Sequence, residues 1–425
     1  MQENESFATD LIHNVFLADR DDQWELYSGA KMSLIELLFF RAITTRSDIA
    51  NMQDKDDFNV MLDFMRMCAP GAGGFDEASS AKVLDMIEKN YNLPKGSLEN
   101  KFKLFKGHWG LLSDNFNNNF SVPTDIDYAP TIKDLISRPQ SSKDSANTYQ
   151  YYTNESLQKM VAGILNVKKN ETFMDSCCGM FSSALYNDAA EYIGVELNKE
   201  IAGIAAMNLI MCKKKFNIKL GNFVEFDEKN VADKILADIP GGAVMPKMEN
   251  RSYGKNVEAY CIENVVNALK DGGSAVVICF GSILGKQDSS KKLREAITRD
   301  HLKAVVALPP MNIGTRVNTN LIVLEKNCHA KEIKFINASG LEIENQNRMT
   351  LSQSDISDII GCLEGKESNC LFKDIPVEDI LNSSNISWSP NQYVKGGVSS
   401  AGRSVEEIDE ELEASYKELK QLLLD

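Results

Sequence analysis

The stretch ETFMDSCCGMFSSALYNDAAEYIGVE, Glu171–Glu196, decides how the chain folds. An apolar run closes on Asp175, a tight loop turns around Gly179, a helix follows, and a second apolar run closes on Glu196. A unit of this kind sets two carboxylates at the carboxyl edge of a parallel sheet, where open α/β sheets bind their ligands. The distance along the chain from the first strand to the second acid fits a nucleoside whose ribose hydroxyls are held by Glu196. Any βαβ unit carries the fold half of this signal, so function has to be argued from the flanking residues.

Working outward, short apolar runs alternate with helical segments, the pattern of a parallel sheet. The expected strands are Thr172–Asp175, Tyr192–Glu196, Ile218–Asn222, Lys234–Ala237, Ser274–Phe280, Ala304–Leu308 and Asn320–Glu325. The last two are joined by PPMNIGTRVNT, which is too short for a helical crossover and predicts an antiparallel pair. Seven strands with a reversed final pair is the α/β arrangement of the S-adenosylmethionine-dependent methyltransferase fold. On the amino-terminal side the pattern is helical: KMSLIELLFFRAI, Lys31–Ile43, is dense enough in apolar residues for a buried helix, and Met61–Met67 continues in that style. The breaker-rich PQSSKDSAN, Pro139–Asn147, reads as a linker.

The expected division is therefore a helical domain over 1–147, an α/β domain over 148–340, an extension over 341–403 and a helix over 404–425. One further strand-like run, Glu332–Ile336, precedes a polar region that reaches Val394. In the tail, Val405, Ile408, Leu412, Leu419 and Leu422 take a and d positions of three heptads, with Ser415 the one polar d position. A coiled coil and a single amphipathic helix packed on its own domain both fit this spacing.

Composition bounds the function. The chain has 425 residues, is 43% hydrophobic and carries a formal charge of −15, so it is a poor DNA binder by itself. Basic clusters at Lys213–Lys215 and at Lys291, Lys292 and Arg294 read as solvated helix faces. No apolar run approaches the roughly 20 residues of a membrane span, and the polar start MQENESFATDLIHN has no secretory pattern. Nine cysteines lack the paired spacing of a zinc site, so no metal is expected, and reduced thiols in the cytoplasm are the simplest account.

The motifs resemble those of the modification (methyltransferase) subunits of type I restriction-modification systems, which methylate adenine N6 in DNA. QYYTNESLQKM, Gln150–Met160, resembles the family's Y-[YF]-T-P segment and its following helix, with Asn154 where proline is usual. The resemblance implies that Tyr152 and Thr153 line the methionine end of S-adenosylmethionine. Asp175-Ser176-Cys177-Cys178-Gly179-Met180-Phe181-Ser182-Ser183 resembles D-P-x-C-G-[ST]-G-G-F, so Asp175, Cys178 and Gly179 carry over as cofactor-binding residues. Glu196 matches the ribose-binding acid, and Asn222 stands where an aspartate commonly accepts from the cofactor's adenine amine. Downstream, ALKDGGSAVVICF, AVVALPPMNIGTRVNTNLIVLEK and WSPNQYV, which ends at Val394, resemble the family's later scaffold motifs, and Phe280 falls near a proline position.

Two motifs depart from the family. Phe181 and Ser182 replace glycines that let the backbone approach the cofactor, and a phenylalanine there is expected to narrow or fill the pocket. The catalytic N-P-P-[FY] reads Asp238-Ile239-Pro240-Gly241. By resemblance Asp238 and Pro240 are the catalytic positions, yet the aromatic that stacks the flipped base is missing. Stacking of that kind is worth about 1–3 kcal/mol. Tyr253 is a candidate substitute.

The expectation is a subunit with weakened or lost catalysis and a scaffold role in a DNA-modifying or defence complex; the alternative is an active adenine-N6 methyltransferase. In both, a separate specificity subunit reads DNA, because the gap between Pro240 and Ser274 is too short for a recognition domain, and a hetero-oligomer is implied. A methyltransferase for another amine, in a protein or RNA, uses the same N-P-P-[FY] and is disfavoured by the same departure. A nicotinamide dehydrogenase is disfavoured because no GxGxxG follows the first strand.

Overall fold

A computed structural model describes residues 28–69, 72, 75–98, 127–137, 153–241, 243, 245–246, 252–312, 317–346 and 348–395. Tyr152, the linker and the heptad tail lie outside the described residues. The strands are β1 (Thr172–Asp175), β2 (Glu191–Glu196), β3 (Phe216–Leu220), β4 (Ala232–Asp238), β5 (Leu269–Cys279), β6 (Leu302–Ala307), β7 (Asn320–Glu325), β8 (Glu332–Asn337) and β9 (Phe372–Pro376). They form one sheet in the order β3-β2-β1-β4-β5-β7-β6-β8-β9. The first five are parallel, and β7 runs antiparallel between β5 and β6 as the short connection requires.

Nine strands, and not seven, make up the sheet. β8 adds parallel to β6, and β9 closes the edge antiparallel to β8. β9 comes from the stretch that reads as polar because an edge strand can leave most of its residues in water; only Ile375 of FKDIP is buried.

The helices are α1 (Ser28–Thr45), α2 (Lys55–Met67), α3 (Glu77–Asn90), α4 (Tyr128–Ser137), α5 (Glu155–Leu165), α6 (Lys199–Met211), α7 (Val257–Ala268), α8 (Ser290–Asp300), α9 (Gln353–Leu363), α10 (Val377–Leu381) and α11 (Pro390–Tyr393). β4 shows how the layers are built. Ile235 and Ala237 face the core formed with α7 and α8, while Leu236 faces the core formed with α5 and α9. α6 is apolar on every side, with each residue from Ile201 to Met211 buried. Ala205 and Leu209 meet the sheet core, and Ile201, Ile204, Met207 and Ile210 meet α1 to α4. The amino-terminal helices are therefore joined to the sheet through a shared core, which is what a helix hydrophobic all round requires.

Two further readings change. The segment after Gly179 forms only a 3-10 turn, Ser182–Leu185, and not an α-helix. Arg294 is fully buried, not solvated: its guanidinium donates to the carbonyls of Ile283, Lys286, Asn385 and Ile386, tying α8 to the chain before Trp388. A planar five-donor group suits that clamp, as a lysine would not.

Candidate active site

The loop after β1 is held at nearly every residue. Cys178 N donates to Val195 O at 2.9 Å, and Phe181 N to Cys178 O at 2.7 Å. Gly179, with φ 52°, donates its N–H to Glu196 Oε2 at 3.0 Å. Asn208 of α6 donates to Met180 O at 2.9 Å, Gln158 of α5 donates to Ser182 Oγ at 3.0 Å, and Ser183 Oγ donates to Asp175 Oδ2 at 2.5 Å. The partners from α5 and α6, Gln158 and Asn208, are not legible from the loop alone, since those helices lie on either side of it in the chain.

Phe181 corrects the expectation of a filled pocket. It takes the left-handed conformation at φ 57°, where glycine is usual, and its ring is fully buried in the core, edge-on to Tyr192 at 6.3 Å between centroids. The space comes from Gly194 on β2. A Cβ there would stand 2.8 Å from the Phe181 ring and 2.9 Å from Cys178 Sγ. The aromatic side chain has turned away from the sheet edge and into the core.

A cavity of about 390 Å³ therefore remains open at that edge. Glu196, Asn222 and Pro240 line it, together with Cys177, Phe223 and Ile239. Glu196 Oε1 also accepts from Asn198 N at 2.7 Å, so its carboxylate is fixed by two backbone N–H groups while each oxygen keeps a lone pair for a hydroxyl. Burial raises its pKa, which those bonds partly offset. Asn222 Oδ1 accepts from Val224 N at 3.0 Å and caps the short turn that carries Phe223. Cys178 and Asp175 stand behind this wall, both buried; Cys177 and Cys261 are the thiols that line the cavity.

Asp175 is pushed up to about 7 by burial first, against its bonds from Ser183 and Cys177 N, with Asp238 and Glu196 adding repulsion. At the end of β4, Asp238 accepts from Thr153 Oγ1 at 2.7 Å, which joins two residues 85 apart in the chain. Burial raises the Asp238 pKa and the Thr153 bond opposes it. Asn154, in the usual proline position, caps α5 by accepting from Ser156 N and donates to the carbonyls of Arg348 and Met349.

A second cavity, of about 690 Å³, opens on the β5 side of the same edge and shares Ile239, Pro240, Ala243 and Val257 with the first. Gly241, Tyr253, Glu258 and Phe280 also line it. Tyr253 donates to Glu263 Oε1 at 2.8 Å and packs edge-on to Tyr260. Among the described residues no helix is long and apolar enough to cross a membrane, and no group of three His, Cys, Asp or Glu could hold a metal ion.

Residues 135–400 match the family model described as N-6 DNA Methylase. The chain is similar to the type I restriction enzyme MpnII methylase subunit of Mycoplasma pneumoniae, 20% identical over 379 residues that cover 73% of this chain and 69% of the relative. Among solved structures it resembles the type I restriction-modification methyltransferase subunit from Streptococcus thermophilus, with a TM-score of 0.71 at 16% identity over 93% of this chain and all (100%) of that one. A chain from a structural study of complex assembly in the type I restriction-modification system gives a TM-score of 0.64 at 16% identity, covering 99% and 97%. At these identities the structures speak for the fold. The family match spans more than half of the chain, and the chain belongs to the N-6 DNA methylase family.

Proposed function

We propose that this chain is an S-adenosylmethionine-binding modification subunit that methylates adenine N6 in DNA at a weakened rate, with a separate specificity subunit reading the sequence. The observation that carries this reading is the pair of cavities meeting at Ile239 and Pro240. Group transfer needs two ligands side by side at one edge. The first cavity suits a nucleoside cofactor, with Glu196 to accept from ribose hydroxyls, Asn222 and Phe223 at its far wall, and a volume within the roughly 300–1,000 Å³ of small-molecule sites. When bound, S-adenosylmethionine supplies an electrophilic methyl group. Asp238 is not itself among the residues lining either cavity but ends β4 directly before Ile239 and Pro240, which line both. Thr153 holds one of its oxygens, and the other would accept from the target amine, aided by the Ile239 carbonyl. Asp238 accepts most strongly when ionised, so its raised pKa predicts transfer that improves as pH rises.

A reading in which transfer is lost and only a scaffold role remains is favoured by Ile239 and Gly241, which deprive the edge of its first proline and its aromatic. Partners fit either reading. A charge of −15 calls for another subunit to grip DNA, and the helices before residue 138 or the tail from Ser404 are the surfaces proposed for a hetero-oligomer. All nine cysteines are free thiols, consistent with work in the cytoplasm.

Calorimetric titration with S-adenosylhomocysteine tests the cofactor site. Saturable binding that falls at least tenfold in Glu196→Ala is expected; no binding to the wild-type chain would refute the reading. A tritiated-methyl assay on adenine-containing DNA with the specificity subunit then separates weak transfer from none.

A further inference from the structure

We infer that Phe280, from the strand beside the tetrapeptide, supplies the aromatic face against which a nucleobase in the second cavity stacks. The inference deepens the methyltransferase reading and rests on it.

Strand register brings the ring to this edge. β4 and β5 are parallel with Asp238 opposite Ile278, so two residues further along each strand Pro240 and Phe280 emerge side by side. An aromatic at 280 thus reaches the same edge as one placed after Pro240. The two positions compete for space: a Cβ at Gly241 would lie 3.1 Å from Phe280 Cε2, and the ring takes the volume that a side chain at 241 would enter. A glycine at 241 and a phenylalanine at 280 are one arrangement, in which the ring has moved to the neighbouring strand.

The backbone that carries the ring is also held. Glu258 in the first turn of α7 accepts from Phe280 N at 3.1 Å, from Ile283 N at 2.9 Å and from Ser282 Oγ. Gly281, at φ 100°, makes the turn that these bonds fix. Most of β5 from Ala275 to Cys279 is fully buried, whereas Phe280 is half-buried and lines the cavity. A concave site with an anchored, partly uncovered ring and a few polar groups takes a flat heterocycle. Tyr253 serves less well, because its hydroxyl is bound to Glu263 and its ring edge to Tyr260.

The test is saturation-transfer NMR of adenosine at millimolar concentration on the full chain, with excess S-adenosylhomocysteine to occupy the first cavity. Phe280 does not line that first cavity, so a signal that depends on it reports the second. Phe280→Ala is expected to weaken adenosine binding about 5- to 150-fold, the range of one base–aromatic stack, while Phe280→Tyr stays within about twofold. The double variant Phe280→Ala with Gly241→Phe should recover part of the loss. The melting temperature and S-adenosylhomocysteine affinity of Phe280→Ala serve as controls for folding. Adenosine binding unchanged in a folded Phe280→Ala, or no ring signal from the wild-type chain, would overturn the inference. Phe280-dependent binding without methyl transfer sinks only the activity; transfer that survives Phe280→Ala at full rate sinks only the role of the ring.

Discussion

The loop Asp175–Ser183 has lost the glycines replaced by Phe181 and Ser182, the edge Asp238–Gly241 has lost a proline and the aromatic, and the structure treats these losses differently. In the loop, Phe181 and Ser182 are absorbed inward: Gly194 leaves room for the ring, and Gln158 takes the hydroxyl. The edge absorbs its changes only in part: Ile239 is buried in the core formed with α7, but Gly241 faces a cavity. The loss at Gly241 alters the surface itself, and the Phe280 ring stands against the vacated place. A motif departure that points into the core is a packing question, solved by partners far along the chain. One that points at a ligand changes the ligand's environment directly.

The sharpest way to break this comparison is at Asp238. Asp238→Ala is expected to reduce methyl transfer by orders of magnitude with S-adenosylhomocysteine affinity nearly unchanged, as measured by initial rates and calorimetry. The wild-type rate should rise with pH, since burial lifts the pKa of a group that accepts from an amine most strongly when ionised. Thr153→Val removes the bond that lowers this pKa, so the acid limb should move to higher pH. Unchanged rates in Asp238→Ala would place the amine elsewhere.

The loop gives the next largest effect. If Phe181 is core, Phe181→Gly costs the roughly 3–5 kcal/mol of removing a buried phenylalanine, less about 1 kcal/mol for relief of the left-handed conformation, so about 2–4 kcal/mol by denaturant unfolding. Restoring the family glycine should then leave cofactor affinity no better. Tighter binding in Phe181→Gly would show that the ring does reach the pocket.

A smaller effect is expected behind the loop. Asp175 in the folded chain is raised to about 7 from an unfolded value of 3.8, so the folded state binds the extra proton between those values. Stability from this group is fully present below about pH 4 and is lost as pH rises toward 7. Asp175→Asn should flatten the fall in melting temperature over that window and leave the protein about 1–3 kcal/mol more stable at pH 8 than this group otherwise allows, at one pKa unit per 1.36 kcal/mol and with the Cys177 N–H bond weakened. An unaltered pH profile would mean that Ser183 and Cys177 hold Asp175 ionised throughout.

Much of the sheet was legible because its strands are buried on both faces and stand out as apolar runs: β1 and β7 match their expected bounds, and the reversed pair follows from the length of its connection. β9 was not, since an edge strand carries no such run. Asp175, Glu196, Asn222 and Asp238 could be named because each closes or follows a strand. Ser183, Gln158 and Gly194 could not, because their roles exist only where α5, the loop and β2 meet.

By itself the sequence determined the α/β order, the acids at the strand ends and the family, since these depend on periodicity and on residues close in the chain. The tertiary structure alone decided that Phe181 belongs to the core, that Thr153 binds Asp238, and that Phe280 rather than Tyr253 lies against Gly241. Side-chain direction and strand register set those contacts, and both are fixed only when distant segments pack against one another.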